Sequence, residues 1–175
     1  HGANVLDWRE DGYLPETIVN YLVLLGWTPE EEGRELFTRK ELVEAFSLER
    51  LGKSAGKFDL KKLQWLNGQH IRMLTPEQLR DKVLPILHKA GFDTSVKSQE
   101  WLTRMAAICQ EKIPTLNEIV PYTDFFFVAP ASYDEKAVAK QWAKPDAAEH
   151  LESIIAKIEA IPAWDLDSLK ATYEK

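Results

Sequence analysis

The sequence predicts a mainly α-helical protein, and three observations carry that reading. Helix-start signatures recur along the chain: Thr38 with Glu41 three residues later, Asp59 before an apolar run, Thr75-Pro76 with Gln78, and Ser98. Behind these starts the apolar residues return at three- and four-residue spacing. Strand signals are thin, and no stretch alternates cleanly between apolar and polar residues.

Each element follows from local chemistry. Short extended pieces are expected at residues 3–6 and 125–128. Leu14-Pro15-Glu16 opens the first clear helix, because proline in the first turn lacks only an N–H that has no helical partner anyway. Ile18, Tyr21, Leu22 and Leu25 share one face of it, and Gly26 ends it. Thr38 and Glu41 form a capping box before the short apolar face of Leu42, Val43 and Phe46. Asp59 caps a helix running to about Met73, with Leu60, Leu63, Leu66, Ile71 and Leu74 inward. Thr75 starts the next, with Leu79, Val83, Ile86, Leu87 and Ala90 as its stripe and Gly91 as its stop. Pro85 inside that stripe predicts a kink or a break. Ser98 starts a helix with Trp101, Met105, Ile108 and Cys109 inward, closed by Ile113-Pro114. Pro145-Asp146 opens the last long helix, lined by Leu151, Ile154, Ile155, Ile158 and Ile161, and Asp165 caps a final one.

Composition narrows the function classes. The chain has 175 residues, 45% of them apolar and 29% charged, which excludes wholesale disorder. No apolar run approaches the length of a membrane span. The single cysteine, Cys109, cannot form an internal disulfide and reads as a buried, inert thiol. The chain begins at His1 and its last residues, Tyr173-Glu174-Lys175, fall in a helical stretch, which suggests a piece of something longer.

A net charge of −6 argues at first against nucleic acid. The distribution argues otherwise: residues 1–49 carry net −7, residues 50–90 net +6 and residues 91–175 net −5. Catalytic signatures are missing. The histidines His1, His70, His88 and His150 do not pair at metal-ligand spacing, and the sequence has no glycine-rich phosphate loop or nucleophile-elbow motif. The basic island centres on the helix from Asp59, where Lys62, Trp65, Gln69 and Arg72 are spaced three, four and three apart and share one face. Upstream, Lys53-Ser54-Ala55-Gly56-Lys57 is a small-residue loop with two more cations. Cations neutralise phosphates, hydroxyls bond phosphate oxygens, and an indole packs on a ribose or base. The competing reading makes Trp65 partly core and the lysines merely solvated.

At this helix the residues become recognisable. Phe58-Asp59-Leu60-Lys61-Lys62-Leu63-Gln64-Trp65-Leu66-Asn67-Gly68-Gln69-His70-Ile71 closely resembles the F-(D/N)-x-x-K-L-x-W-(L/M)-N-x-x-(Y/H)-I signature of the bacterial-type glutamyl-tRNA synthetase family, class I. Asp11-Gly12-Tyr13-Leu14-Pro15-Glu16, Asn20-Tyr21-Leu22 and Leu25-Gly26-Trp27 are similar to the same family. The likeness is most specific over residues 1–75. It continues through Thr115-Leu116 and Asp124-Phe125-Phe126-Phe127 and thins beyond.

The resemblance implies a fold and a role. It implies a helical stem-contact domain at residues 1–74 and an α-helical-cage anticodon-binding domain. The cage's first helical part would be residues 75–130, and its second would start at 131–175 and be truncated at its C-terminal end. It implies a tRNA-binding part of glutamate–tRNA ligase, cytoplasmic and monomeric, with tRNA-Glu as partner, tRNA-Gln left open, and no membrane. Catalytic residues, metal ligands and cofactor are expected to be absent from this chain, with ATP and Mg serving the full-length enzyme. The tRNA-binding residues implied are Lys53, Ser54, Lys62, Trp65, Arg72 and Lys112. Family members strict for tRNA-Glu often carry Arg at the position of Lys112, which reads the last anticodon base; Lys offers a point charge instead of a planar fork. Lys112 equally suits a helix C-terminal dipole. The alternative class is a helical protein-interaction module without RNA binding.

Overall fold

The computed structural model describes residues 4–52 and 56–173. They form two compact units, residues 1–129 and 130–175, taken separately below. Ten α-helices are assigned among the described residues, and no sheet.

In the first unit the helices are α1 (Val5–Glu10), α2 (Pro15–Gly26), α3 (Arg39–Ala45), α4 (Leu60–Arg72), α5 (Pro76–Lys89), α6 (Gln99–Gln110) and α7 (Ile119–Thr123). The starts read from sequence are built as expected. Thr38 and Glu41 close a full capping box, and so do Thr75 and Gln78. Asp59 accepts from the amides of Lys61 and Lys62, and Ser98 from that of Trp101. Gly91 ends α5 with φ +89°, a conformation glycine adopts without a Cβ clash.

Several expectations fail for identifiable reasons. Residues 5–10 are helical rather than extended: Asn4 caps them through the Leu6 amide, and Trp8 is buried with its ring stacked on Phe58 at 5.8 Å. Residues 124–126 are a 3-10 turn rather than a strand, because Phe126 and Phe127 pack edge-on against Trp101 at 5.6 and 5.8 Å. The helix α5 runs unbroken through Pro85, between the fully buried Val83 and Leu87. Leu22, Val43, Phe46, Leu60, Ala90 and Ile108 point outward, not inward.

Polar residues hold some of the inner positions instead. Thr17 and Asn20 lie buried on α2, and Asn67 and His70 on α4. Asn67 is fully buried and joins three segments. Its Oδ1 accepts from the Leu14 amide at 2.8 Å and the Thr17 hydroxyl at 2.9 Å, and its Nδ2 donates to the Pro114 carbonyl at 2.7 Å. Two further bonds tie the same region together. The Leu116 amide donates to the Gly12 carbonyl at 2.9 Å, and Asn117 Nδ2 to the Glu10 carbonyl at 2.7 Å. Gly12 has φ +86°, and a Cβ there would meet the Asn117 backbone nitrogen at 2.7 Å.

Apolar packing completes this unit. Leu79, Val83, Leu87, Leu102, Met105, Ala106 and Cys109 interleave α5 with α6, and Ile113 and Ile119 close the end. Trp8, Tyr13, Ile18, Tyr21, Leu63 and Leu66 join α1, α2 and α4. The Leu74–Thr75 junction lies within this first unit, between α4 and α5.

In the second unit, α8 (Glu135–Ala137) passes into a π-turn at Val138–Trp142, followed by α9 (Ala147–Glu159) and α10 (Leu166–Tyr173). Tyr133 and Trp142 meet edge to face at 4.6 Å, and the Asp165 carboxylate caps α10 through the Ser168 amide. Ile161 is buried, while Leu151, Ile154, Ile155 and Ile158 of the predicted α9 stripe are exposed.

Asn67→Ala removes the side-chain partners of the buried Leu14 amide and the part-buried Pro114 carbonyl. It should lower unfolding stability by about 3 kcal/mol, measured by urea titration. A loss under about 1 kcal/mol would show that the amide is not a structural joint.

Candidate nucleic-acid interface

The helix α4 is gripped at both ends. At its start the Tyr21 hydroxyl accepts from the Asp59 amide at 2.6 Å and lies 3.2 Å from the Asp59 carbonyl. At its end Gln110 Nε2 donates to the Ile71 carbonyl at 2.9 Å and the Leu74 carbonyl at 2.7 Å. Leu63, Leu66, Asn67, His70 and Ile71 face inward, so Lys62, Trp65, Gln69 and Arg72 are turned toward the surface. Trp65 is 48% exposed, an unusual setting for a residue that normally buries most of its area.

The cations of this face are not bare. Lys62 Nζ bonds Glu35 Oε1 at 2.6 Å. Arg72 Nε bonds Glu111 Oε2 at 2.6 Å, and its Nη2 donates to the Glu111 carbonyl at 2.8 Å. Over ten residues at about 1.5 Å rise, Lys62 and Arg72 stand roughly 15 Å apart along the helix, with Trp65 between them. Lys112 is exposed and follows Glu111 directly, so the Arg72–Glu111 pair brings it to the C-terminal end of this face. Lys53 and Ser54 lie outside the described residues. The loop is anchored on both sides of them: the Gly52 amide donates to the Gly26 carbonyl at 2.8 Å, and Gly56 sits so close to the Leu25 carbonyl that a Cβ would fall 2.1 Å from it. Lys62 borders two grooves. One, of 130 Å³, also contains Tyr21, Gly56 and Lys57; the other, of 390 Å³, is rimmed by Glu31, Glu32 and Glu35.

Sequence reasoning missed the polar chain beneath this face. Asn20 Nδ2 donates to the Glu35 carbonyl at 3.0 Å, and its Oδ1 accepts from the Phe37 amide at 3.0 Å. The same oxygen lies 3.1 Å from His70 Nε2, and because an amide oxygen can only accept, His70 is the donor of that bond. The buried network thus positions Glu35, and Glu35 positions Lys62. The signal was present in the signature itself, which carries Asn67 as a fixed letter and His70 at its Tyr/His position.

Burial pushes the His70 pKa below its usual 6.5, against a smaller opposing effect from Glu16. Burial likewise raises the Cys109 thiol, which keeps it protonated and unreactive. Among the described residues no three His, Cys, Asp or Glu side chains gather as a metal site, and no helix is long and apolar enough to cross a membrane.

Comparison with known proteins places this surface in context. Residues 78–175 match the family described as "Anticodon binding domain", and residues 3–65 match "tRNA synthetases class I (E and Q), catalytic domain". The glutamate–tRNA ligase of Geobacter sulfurreducens is 38% identical over 176 residues, covering 100% of this chain and 37% of that protein. That of Bacillus subtilis is 37% identical over 170 residues, covering 94% of this chain and 34% of the relative. The chain therefore spans about a third of the length of these curated relatives. A crystal structure of a glutamate tRNA ligase from Elizabethkingia meningosepticum, in complex with its amino acid, superposes with a TM-score of 0.84 at 27% identity. It covers 94% of this chain and 32% of that one.

His70 makes stability pH-dependent. Its folded pKa lies below the unfolded value, so between the two the unfolded chain binds more protons and stability rises with pH. The contribution is fully present above about pH 6.5 and is lost as the pH falls toward the folded pKa. His70→Gln should flatten unfolding free energy against pH in that window; an unaltered slope would show that His70 carries none of it.

Proposed function

This chain belongs to the anticodon-binding domain family of glutamyl-type class I tRNA synthetases, and on that premise we propose that it positions tRNA-Glu for a glutamate–tRNA ligase. The observation that carries the reading is the outer face of α4. It presents a half-exposed indole between a lysine and an arginine, on the helix that bears the family signature. Lys62, Arg72 and the Lys53–Ser54 loop contact phosphates and set register, while Trp65 packs on a ribose or base. Lys112, at the end of α6, faces the anticodon side; a lysine there discriminates less sharply against tRNA-Gln than an arginine would. The ligase acts in the cytoplasm, and the chain works as a monomer.

Chemistry belongs to other parts of the enzyme. ATP with Mg would supply the activation of glutamate. The residues here do not suit that nucleotide: the sequence has no glycine-rich phosphate loop, and the described residues hold no carboxylate cluster for a metal. What these residues do is hold the tRNA in place.

Two measurements test the reading. In a gel shift at low salt the chain should bind tRNA-Glu, and Lys62→Ala should weaken binding and lower the salt slope by up to about one. Binding and slope unchanged by that substitution would remove Lys62 from the interface. The purified chain should show no ATP–pyrophosphate exchange, and measurable exchange would contradict the assignment of chemistry elsewhere.

A further inference from the structure

We propose that Glu35 and Glu111 determine specificity by occupying the two cations of the α4 face, so that an RNA phosphate must displace a carboxylate at each end of the helix to bind. The inference rests on the tRNA reading above and adds to it the residues that restrain the surface. Three ion pairs among the described residues join segments twenty or more residues apart. The two short ones, both at 2.6 Å, fall on Lys62 and Arg72, and the third, Arg50–Glu30, is at 3.8 Å.

Neither carboxylate is placed by chance. The Glu35 backbone is held by Asn20, itself locked to Phe37 and His70 in the buried network. Glu111 follows Gln110, which clamps the end of α4, and its own carbonyl takes a second bond from Arg72. A rigid scaffold therefore delivers each anion to its cation.

The electrostatics follow directly. With both pairs formed, Lys62, Arg72, Glu35 and Glu111 sum to zero charge, so a stray phosphate gains little there. On exchange, each freed carboxylate takes up a cation from solution, which offsets the counterion released from the RNA and flattens the salt dependence. The pairs are partly solvent-exposed and so can open. Lys57 and Lys61, neighbours of Lys62 with no carboxylate in salt-bridge range among the described residues, supply the first attraction. A ligand whose shape meets both ends of α4 at once overcomes both pairs; a phosphate chain that meets one end does not.

The test measures binding of the wild-type chain, Glu35→Gln, Glu111→Gln and the double variant Lys62→Ala/Glu35→Gln. The ligands are a tRNA-Glu transcript and an unrelated single-stranded RNA of equal length, in KCl from about 50 to 200 mM. Glu35→Gln keeps the shape of the side chain and should bind the unrelated RNA about 3- to 10-fold more tightly. Its salt slope should steepen by up to about one, and its preference for tRNA should narrow. Glu111→Gln should act in the same direction, and the double variant should lose the gain of Glu35→Gln. If the wild type binds tRNA and both glutamine variants match it in affinity and slope, or bind more weakly, the masking role is overturned while the tRNA reading stands. If none of the four chains binds either RNA, both are overturned.

Discussion

One buried amide organises the first unit of this molecule. Asn67 sits where α4 meets both the start of α2 and the segment after α6, and it bonds the backbone of each. An unsatisfied polar group in a dry interior is costly, so the three segments are held in one relative arrangement. Because Asn67 is on the inner side of α4, it also fixes the rotation of that helix about its axis. The outer face, with Lys62, Trp65 and Arg72, is a consequence of what Asn67, His70 and the flanking leucines bury.

A second polar device uses the same inner side of α4. His70 and Asn20 join α4 to α2 and to the 35–37 segment, and that segment returns Glu35 to Lys62. A path of hydrogen bonds thus begins and ends on α4, connecting a buried imidazole to a surface cation. The Gln110 clamp and the Arg72–Glu111 pair do the equivalent at the other end. The chain is acidic in sum and basic over residues 50–90, and the two cations at the ends of the α4 face are each paired with a carboxylate.

Local chemistry made much of this legible from sequence. The capping residues Thr38, Asp59, Thr75, Ser98 and Asp165 all cap as their spacing indicates, because a cap is decided within a few residues. The stripe Leu79, Val83 and Leu87 is equally local. Tertiary choices were not legible. Whether Leu22 or Asn20 turns inward on α2 depends on Glu35, Phe37 and His70, which are distant in sequence. The aromatic run at 125–127 is coiled into a 3-10 turn by Trp101, and a β-prone composition does not reveal that. The candidate cations were found by pattern, but their partners Glu35 and Glu111 lie 27 and 39 residues away, beyond any periodicity.

The central claim is that α4 presents the face that meets tRNA. Lysine-reactivity footprinting, with a small acylating reagent and mass spectrometry, tests it without altering the protein. Addition of tRNA-Glu should protect Lys62 and its neighbours Lys57 and Lys61, and leave Lys40 on α3 as reactive as before. Unchanged reactivity at Lys62 under saturating tRNA, with protection confined to lysines on other helices, would contradict the account.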